Sequence, residues 1–308
     1  MDAETTPEPE VEVLDGDADV ARPLSETARV AREALAGVVP EPGARKPDPI
    51  LTAVGVRRTF GGITAVDVER VEVQRGSITA LIGPNGAGKT TFFNLMTGFD
   101  APNSGEWTFN GVSMDGVQPH RMAKRGMVRT FQLTKSLTKL PVIENMKLGA
   151  TDQVGEKWWN GLLPFRWRRQ EQEVEARAEE LLRRFKLDHM RDEYAGALSG
   201  GQRKLLEMAR ALMTNPTLVM LDEPMAGVNP ALKQSLNQHV KALRDEGMTV
   251  LFVEHDMDMV HDISDWVIVM AEGRVIAEGT PDDIASNTAV IDAYLGLHQG
   301  RSLFEEQP

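Results

Sequence analysis

Eight consecutive residues, Gly83-Pro84-Asn85-Gly86-Ala87-Gly88-Lys89-Thr90, have the spacing of a phosphate-binding loop, G-x-x-x-x-G-K-[ST]. Glycines at 83, 86 and 88 let successive backbone N–H groups turn inward onto phosphate oxygens, and a helix starting there adds the partial positive charge of its N-terminus. Lys89 can then reach the β- and γ-phosphates. The Thr90 hydroxyl suits Mg²⁺, a hard ion that shares oxygen ligands among protein, phosphates and water; Thr91 joins the same expected contact set. A second anion-binding terminus rich in backbone donors is expected where Ser199, Gly200 and Gly201 precede a helix that begins near Gln202. The acidic pair Asp222-Glu223 after an apolar run is equally compatible with a solvated strand end. Gln132 and His255 taken alone read as a surface amide and a packed core histidine.

These residues need a scaffold. The apolar run Ile78 to Ile82 predicts a buried strand leading into the loop, and Lys89 to Met96 predicts the helix that follows it. Ile50 to Phe60, Gly61-Gly62 and Ile63 to Val73 read as a strand, a turn and a strand. Trp107 to Phe109 before Asn110-Gly111 carries a hairpin signal. Thr217 to Leu221, Thr249 to Val253, Trp266 to Met270 and Arg274 to Ala277 read as further strands, the first two apolar enough for a sheet covered on both faces. Between Gln132 and Ser199 helical signals dominate, with Val174, Ala178, Leu181, Leu182 and Phe185 on one face. The expected fold class is α/β, with a small antiparallel sheet beside the phosphate-loop strand. No internal repeat is visible, which argues against solenoids and tandem cassettes.

The 308 residues include no cysteine, so disulfides, thiolate catalysis and cysteine-held metals are excluded. The start is acidic rather than basic-then-apolar, which does not fit a secretory signal, and no apolar run approaches the length of a membrane span. Net charge is −12, and residues 1–49 hold twelve acidic against five basic side chains. Rich in proline and acid, residues 1–48 are expected to be a disordered tail, deletion of residues 1–45 is expected to leave the melting temperature and basal ATPase rate nearly unchanged, and Ser25 to Ala36 is a thin candidate helix. The acidic balance opposes non-specific nucleic-acid binding. Trp158, Trp159, Phe165 and Trp167, interleaved with Lys157, Arg166, Arg168 and Arg169, form an aromatic–basic stretch that is either a partner-facing surface or a loop folded on its own subdomain.

Leu198-Ser199-Gly200-Gly201-Gln202 preceding Leu218-Val219-Met220-Leu221-Asp222-Glu223-Pro224 resembles the signature and Walker B motifs of the ATP-binding cassette (ABC) family. The resemblance runs from about residue 50 to about 297. Phe60-Gly61-Gly62, Thr130-Phe131-Gln132, Ala226-Gly227-Val228-Asn229-Pro230, Glu254-His255-Asp256-Met257 and Ala293-Tyr294-Leu295-Gly296 make it most similar to the ATP-binding subunits of branched-chain amino acid importers. It implies an ATPase core over residues 49–297, with a helical insert at about 133–200 and a C-terminal tail at 298–308. It implies that Asp222 orients Mg²⁺, that Glu223 is the general base for hydrolysis of ATP, that Gln132 reaches the metal and the attacking water, and that His255 holds the γ-phosphate. Phe60 resembles the aromatic that stacks on adenine.

The resemblance also implies a head-to-tail pair of cassettes, identical or not, in which each ATP lies between one phosphate loop and the partner's signature. Membrane-spanning permease subunits, an external solute-binding protein reached through them, and a peripheral place on the cytoplasmic face of the inner membrane follow from it as expectations. A cassette for lipid or lipopolysaccharide export and a soluble non-transport ATPase of the family are the alternatives. Asn229 stands where many cassettes have aspartate.

Overall fold

The computed structural model describes residues 24–130, 137–151 and 164–295. Its frame is a six-stranded sheet in the order β10-β9-β3-β8-β7-β6. The members are β3 (Ile78–Ile82), β6 (Met127–Arg129), β7 (Leu218–Asp222), β8 (Thr249–Val253), β9 (Trp266–Ala271) and β10 (Arg274–Gly279). All pairings are parallel except that of β10 with β9. Period-two alternation sorts the strand residues into two cores. Ile78, Ala80 and Ile82 of β3, Val219 and Leu221 of β7, and Val250 and Phe252 of β8 face one core; Leu81, Met220, Leu251 and Val253 face the other. Both faces are therefore covered, which is why these strands read as unbroken apolar runs.

The second core is closed by an antiparallel sheet in the order β2-β1-β4-β5, built from β1 (Pro49–Phe60), β2 (Ile63–Gln74), β4 (Ser104–Phe109) and β5 (Val112–Ser113). Between the two sheets lies α2 (Lys89–Met96), with Phe92, Phe93, Leu95 and Met96 buried. At roughly 1.5–3 kcal/mol per large apolar side chain buried, this helix is anchored by packing rather than by its eight-residue length. On the opposite face pack α4 (Val142–Lys147), α5 (Pro164–Arg184), α6 (Gly200–Ala211) and α7 (Pro230–Asp245). The helical stripe read from the sequence is the buried side of α5, where Ala178, Leu181 and Leu182 are sealed, with Phe185 just beyond its end. Trp158 and Trp159 of the aromatic–basic stretch lie outside the described residues.

Residues 24–48 correct the expectation of a disordered tail. Ser25 caps α1 (Glu26–Ala36), whose Ala28, Ala31 and Leu35 are buried. The Ser25 amide donates to the Asp245 carbonyl at 2.8 Å, and Arg32 pairs with Asp265 at 3.3 Å. Past the helix, Lys46 is buried against Glu278 of β10 at 3.0 Å and lies 4.2 Å from the Trp266 ring centroid. Its amide donates to Glu72 of β2 at 2.7 Å. The segment is a strap fastened to both sheets. Composition missed it because the acidity of the first nineteen residues masked a short alanine stripe, and alanine's small side chain permits close approach without a strong apolar signal. Residues 1–23 and 296–308 lie outside the described residues.

Candidate nucleotide site

Brought to one edge of the six-stranded sheet are the ends of β3, β7 and β8, and with them most of the residues singled out by chemistry; ligands of open α/β sheets bind at this carboxyl edge. The phosphate loop runs from β3 to α2. Gly88 caps α2 with φ +96°, and a Cβ there would lie 2.3 Å from the Ala65 carbonyl oxygen, so the turn into the helix needs glycine. Lys89 Nζ donates to the Gly83 carbonyl at 2.5 Å and the Pro84 carbonyl at 3.0 Å, which aims the ammonium along the loop. Partial burial lowers its pKa from the ordinary lysine value, and the nearby Glu223 charge opposes that shift. Thr90 is exposed at the first turn of α2.

Asp222 ends β7. Glu223 follows with its amide donating to the Val253 carbonyl at 3.0 Å and with φ +45°, a left-handed conformation that costs a non-glycine residue about 1–3 kcal/mol. Its side chain projects into the open at the sheet edge. His255 follows β8, with its ring 70% exposed. Behind it, buried Glu254 accepts from the Met225 amide at 2.8 Å and the His255 amide at 3.1 Å. One carboxylate thus joins the loop after Glu223 to the loop bearing His255. Phe60, at the tip of β1, is 47% exposed, and the Arg58 guanidinium lies 4.5 Å from its ring centroid.

The signature residues are organised by α6. Ser199 caps it in a reciprocal box, its hydroxyl accepting from the Gln202 amide while the Gln202 side chain accepts from the Ser199 amide. The helix starts at Gly200, two residues earlier than the sequence predicts, because the serine fixes the first turn. A Cβ on Gly201 would fall 1.6 Å from Leu232 Cδ2, so glycine lets α6 sit tightly on α7. Asn229 caps α7 through the Leu232 amide at 2.9 Å. Gln132 lies outside the described residues.

Three polar residues at this edge escaped the sequence reading as site residues. Arg129, at the end of β6, places Nη2 2.5 Å from Asp222 Oδ2. Glu254 is the second. Lys233 pairs with Asp256, which caps α8 (Met257–Ile263), at 2.5 Å. The Asp256 hydrogen bond raises the Lys233 pKa, so this pair holds the residue next to His255 in place.

A phosphate loop between a parallel strand and a helix, with an acidic strand end and a histidine on the neighbouring strands, defines a nucleotide-binding phosphate-loop ATPase. A family model described as ABC transporter matches residues 67–226, and one described as branched-chain amino acid ATP-binding cassette transporter matches residues 274–298. The chain belongs to the ABC transporter family, as an ATP-binding cassette. It is 42% identical over 247 residues to the "Probable branched-chain amino acid transport ATP-binding protein LivG" of Archaeoglobus fulgidus, covering 80% of this chain and 95% of that one. To the high-affinity branched-chain amino acid transport ATP-binding protein BraF of Pseudomonas aeruginosa it is 39% identical over 250 residues, 80% of this chain and 98% of the relative. A crystal structure of the ADP conformation of an ATP-binding cassette of an ABC transporter superposes with a TM-score of 0.71 at 36% identity, over 80% of this chain and 99% of that one. The α/β fold with an antiparallel sheet and a helical layer is the fold of these cassettes. Among the described residues no helix is long and apolar enough to cross a membrane.

Proposed function

We propose that this chain is the energy-coupling ATPase subunit of an importer for branched-chain amino acids, working under separate membrane-spanning permease subunits on the cytoplasmic face of the inner membrane. The observation that carries this reading is the match along nearly the whole length of relatives named for branched-chain amino acid transport, together with the matched segment 274–298. An external binding protein would select the solute, since the chemistry at the sheet edge is directed at phosphates. The test is disruption of the subunit in its native cell, followed by uptake of radiolabelled leucine, isoleucine and valine. Loss of all three is expected; unchanged uptake of all three with loss of another solute would reject the branched-chain amino acid subfamily and leave the ATPase assignment intact.

In this reading the backbone of Gly83 to Gly88 and the α2 N-terminus hold the phosphates, with Lys89 as the point charge and Thr91 beside it. The donor set suits Mg²⁺: Thr90 offers a hydroxyl and Asp222 a carboxylate, hard oxygens of the kind that metal takes alongside phosphates and water. When bound, the ion neutralises charge building on the phosphates. Glu223 takes the proton of the attacking water, with Gln132 orienting that water and His255 holding the γ-phosphate. Phe60 lies on adenine. Ser199, Gly200, Gly201 and Gln202 serve the ATP of a second cassette, identical or not, so that hydrolysis removes the phosphate both subunits grip and the pair reopens. Lys89→Ala removes a charge-assisted phosphate contact. Equilibrium binding of a fluorescent ATP analogue should therefore weaken at least about tenfold; retained affinity would remove Lys89 from the phosphate contacts.

A further inference from the structure

Arg129 belongs to none of the motifs, yet its guanidinium gathers polar partners from two other elements at the sheet edge. Its side chain is 8% exposed. Nη2 donates to Asp222 Oδ2 at 2.5 Å, while Nη1 donates to Asn94 Oδ1 at 2.7 Å and to Thr97 Oγ1 at 3.3 Å. The guanidinium carbon lies 5.6 Å from the Phe93 ring centroid. Phe93 and Asn94 are on α2, the phosphate-loop helix, and Thr97 is its C-cap. The Thr130 amide, next in the chain, donates to the Met220 carbonyl of β7 at 2.9 Å. One buried cation therefore joins the phosphate-loop helix, the acidic end of β7 and the strand that leads toward Gln132.

The fork geometry of arginine makes this possible, because its two terminal nitrogens serve acceptors on different elements at once; a lysine ammonium is a point charge on a flexible stem. A guanidinium so buried needs a carboxylate, and Asp222 supplies it. In return, one Asp222 oxygen is pinned and the carboxylate plane is set, leaving Oδ1 with a fixed direction. We infer that Arg129 is a positioning residue for ATP hydrolysis, holding the Asp222 carboxylate in register with the phosphate-loop helix. Its effect on the reaction runs through Asp222, the acceptor of its Nη2. The inference rests on the proposed metal-side role of Asp222.

The experiment compares Arg129→Met, Arg129→Lys, Asp222→Asn and the double variant Arg129→Met/Asp222→Asn in the full chain. Arg129→Met should lower kcat about tenfold or more with ATP KM within about threefold, and Arg129→Lys should recover part of the loss. A fluorescent ATP analogue should bind Arg129→Met with unchanged affinity in EDTA, while the gain in affinity on adding Mg²⁺ falls about fivefold. If Arg129 acts through Asp222, the double variant turns over within about twofold of Asp222→Asn alone.

Losses that multiply in the double variant overturn the inference, as does an equal loss of binding with and without Mg²⁺, which is the signature of a collapsed phosphate loop. Should Arg129→Met fail to fold, Arg129→Lys carries the same cycle, since it keeps a charge for Asp222 and gives up the arm to Asn94 and Thr97. Unchanged kcat in Arg129→Lys would then be the overturning result. Full turnover by Asp222→Asn alone rejects the metal-side reading of Asp222 first, and this inference with it.

Discussion

Glu223→Gln should hydrolyse ATP about 10²–10⁴-fold more slowly than the wild-type chain while binding ATP within about threefold of it, because a general base contributes on that scale to the chemical step and little to ground-state binding. The amide keeps the shape of the side chain and the same number of heavy atoms. It cannot take a proton from water. Backbone strain is held constant in this comparison, since the substituted glutamine would inherit the φ of +45° and the backbone hydrogen bond to the Val253 carbonyl. The loss of charge has one side effect that can be read separately. Glu223 opposes the burial-driven fall of the Lys89 pKa, so glutamine lets the lysine drop further below its ordinary value. Lys89 starts from an ordinary value far above neutrality, so ATP affinity near neutral pH is expected to hold. Single-turnover phosphate release measures the chemical step, and gel filtration with ATP measures the closed pair, which should persist longer in the variant. Turnover at the wild-type rate would remove Glu223 from the role of base.

The strands and the phosphate loop were legible because each obeys a local rule. β3, β8 and α2 occur at the residues expected from their apolar runs and from the glycine spacing of the loop. The helix after the signature was legible too, but its start was expected two residues late, because Gly200 and Gly201 are poor helix formers and the cap of Ser199 on the Gln202 amide outweighs them. What was not legible is long-range polar pairing. Arg129 and Asp222 are separated by 93 residues, and nothing in the arginine's neighbours announces a partner. Glu254 looked like a flank of His255, and its burial, which makes it a junction between two loops, depends on β8 being covered on both faces. Asn229 invited comparison with the aspartate of other cassettes, but here its side-chain oxygen caps α7. The strap was misread for a different reason: averaging charge over residues 1–48 joined an acidic start to a segment that buries Ala28, Ala31, Leu35 and Ala44 while Val30 and Val39 stay exposed.

That strap supplies the largest expected change in stability. Lys46 and Glu278 are 1% and 0% exposed, and burial pushes the lysine below its ordinary range and the carboxylate above its own, with their mutual attraction opposing both shifts. Glu278 also accepts from the Gly43 amide at 3.1 Å and from Trp266 Nε1 at 3.1 Å, so it holds the strap, β9 and β10 together. Lys46→Met would leave that carboxylate buried without its cation. Breaking one side of a buried pair costs about 3–5 kcal/mol, which for a cassette of this size lowers Tm by roughly 6–20 °C.

The pH dependence has a definite sign. A carboxylate whose folded pKa lies above its unfolded value favours the folded state when protonated; that stabilisation is complete below the unfolded value near 4.5 and is lost as pH rises through the folded one. The deficit of Lys46→Met should therefore be smaller near about pH 5 than near about pH 8. Adding Glu278→Gln should restore a large part of the loss at the higher pH, since a neutral amide still accepts from Gly43 and Trp266. Deleting residues 1–47 removes the lysine together with buried Ala28, Ala31, Leu35 and Ala44, and should lower Tm at least as far as Lys46→Met does. Thermal melts of the four proteins at two pH values decide the matter. A Tm for the deletion equal to wild type would return this segment to the status of a tail, and a Lys46→Met deficit independent of pH would show that Glu278 does not carry the cost.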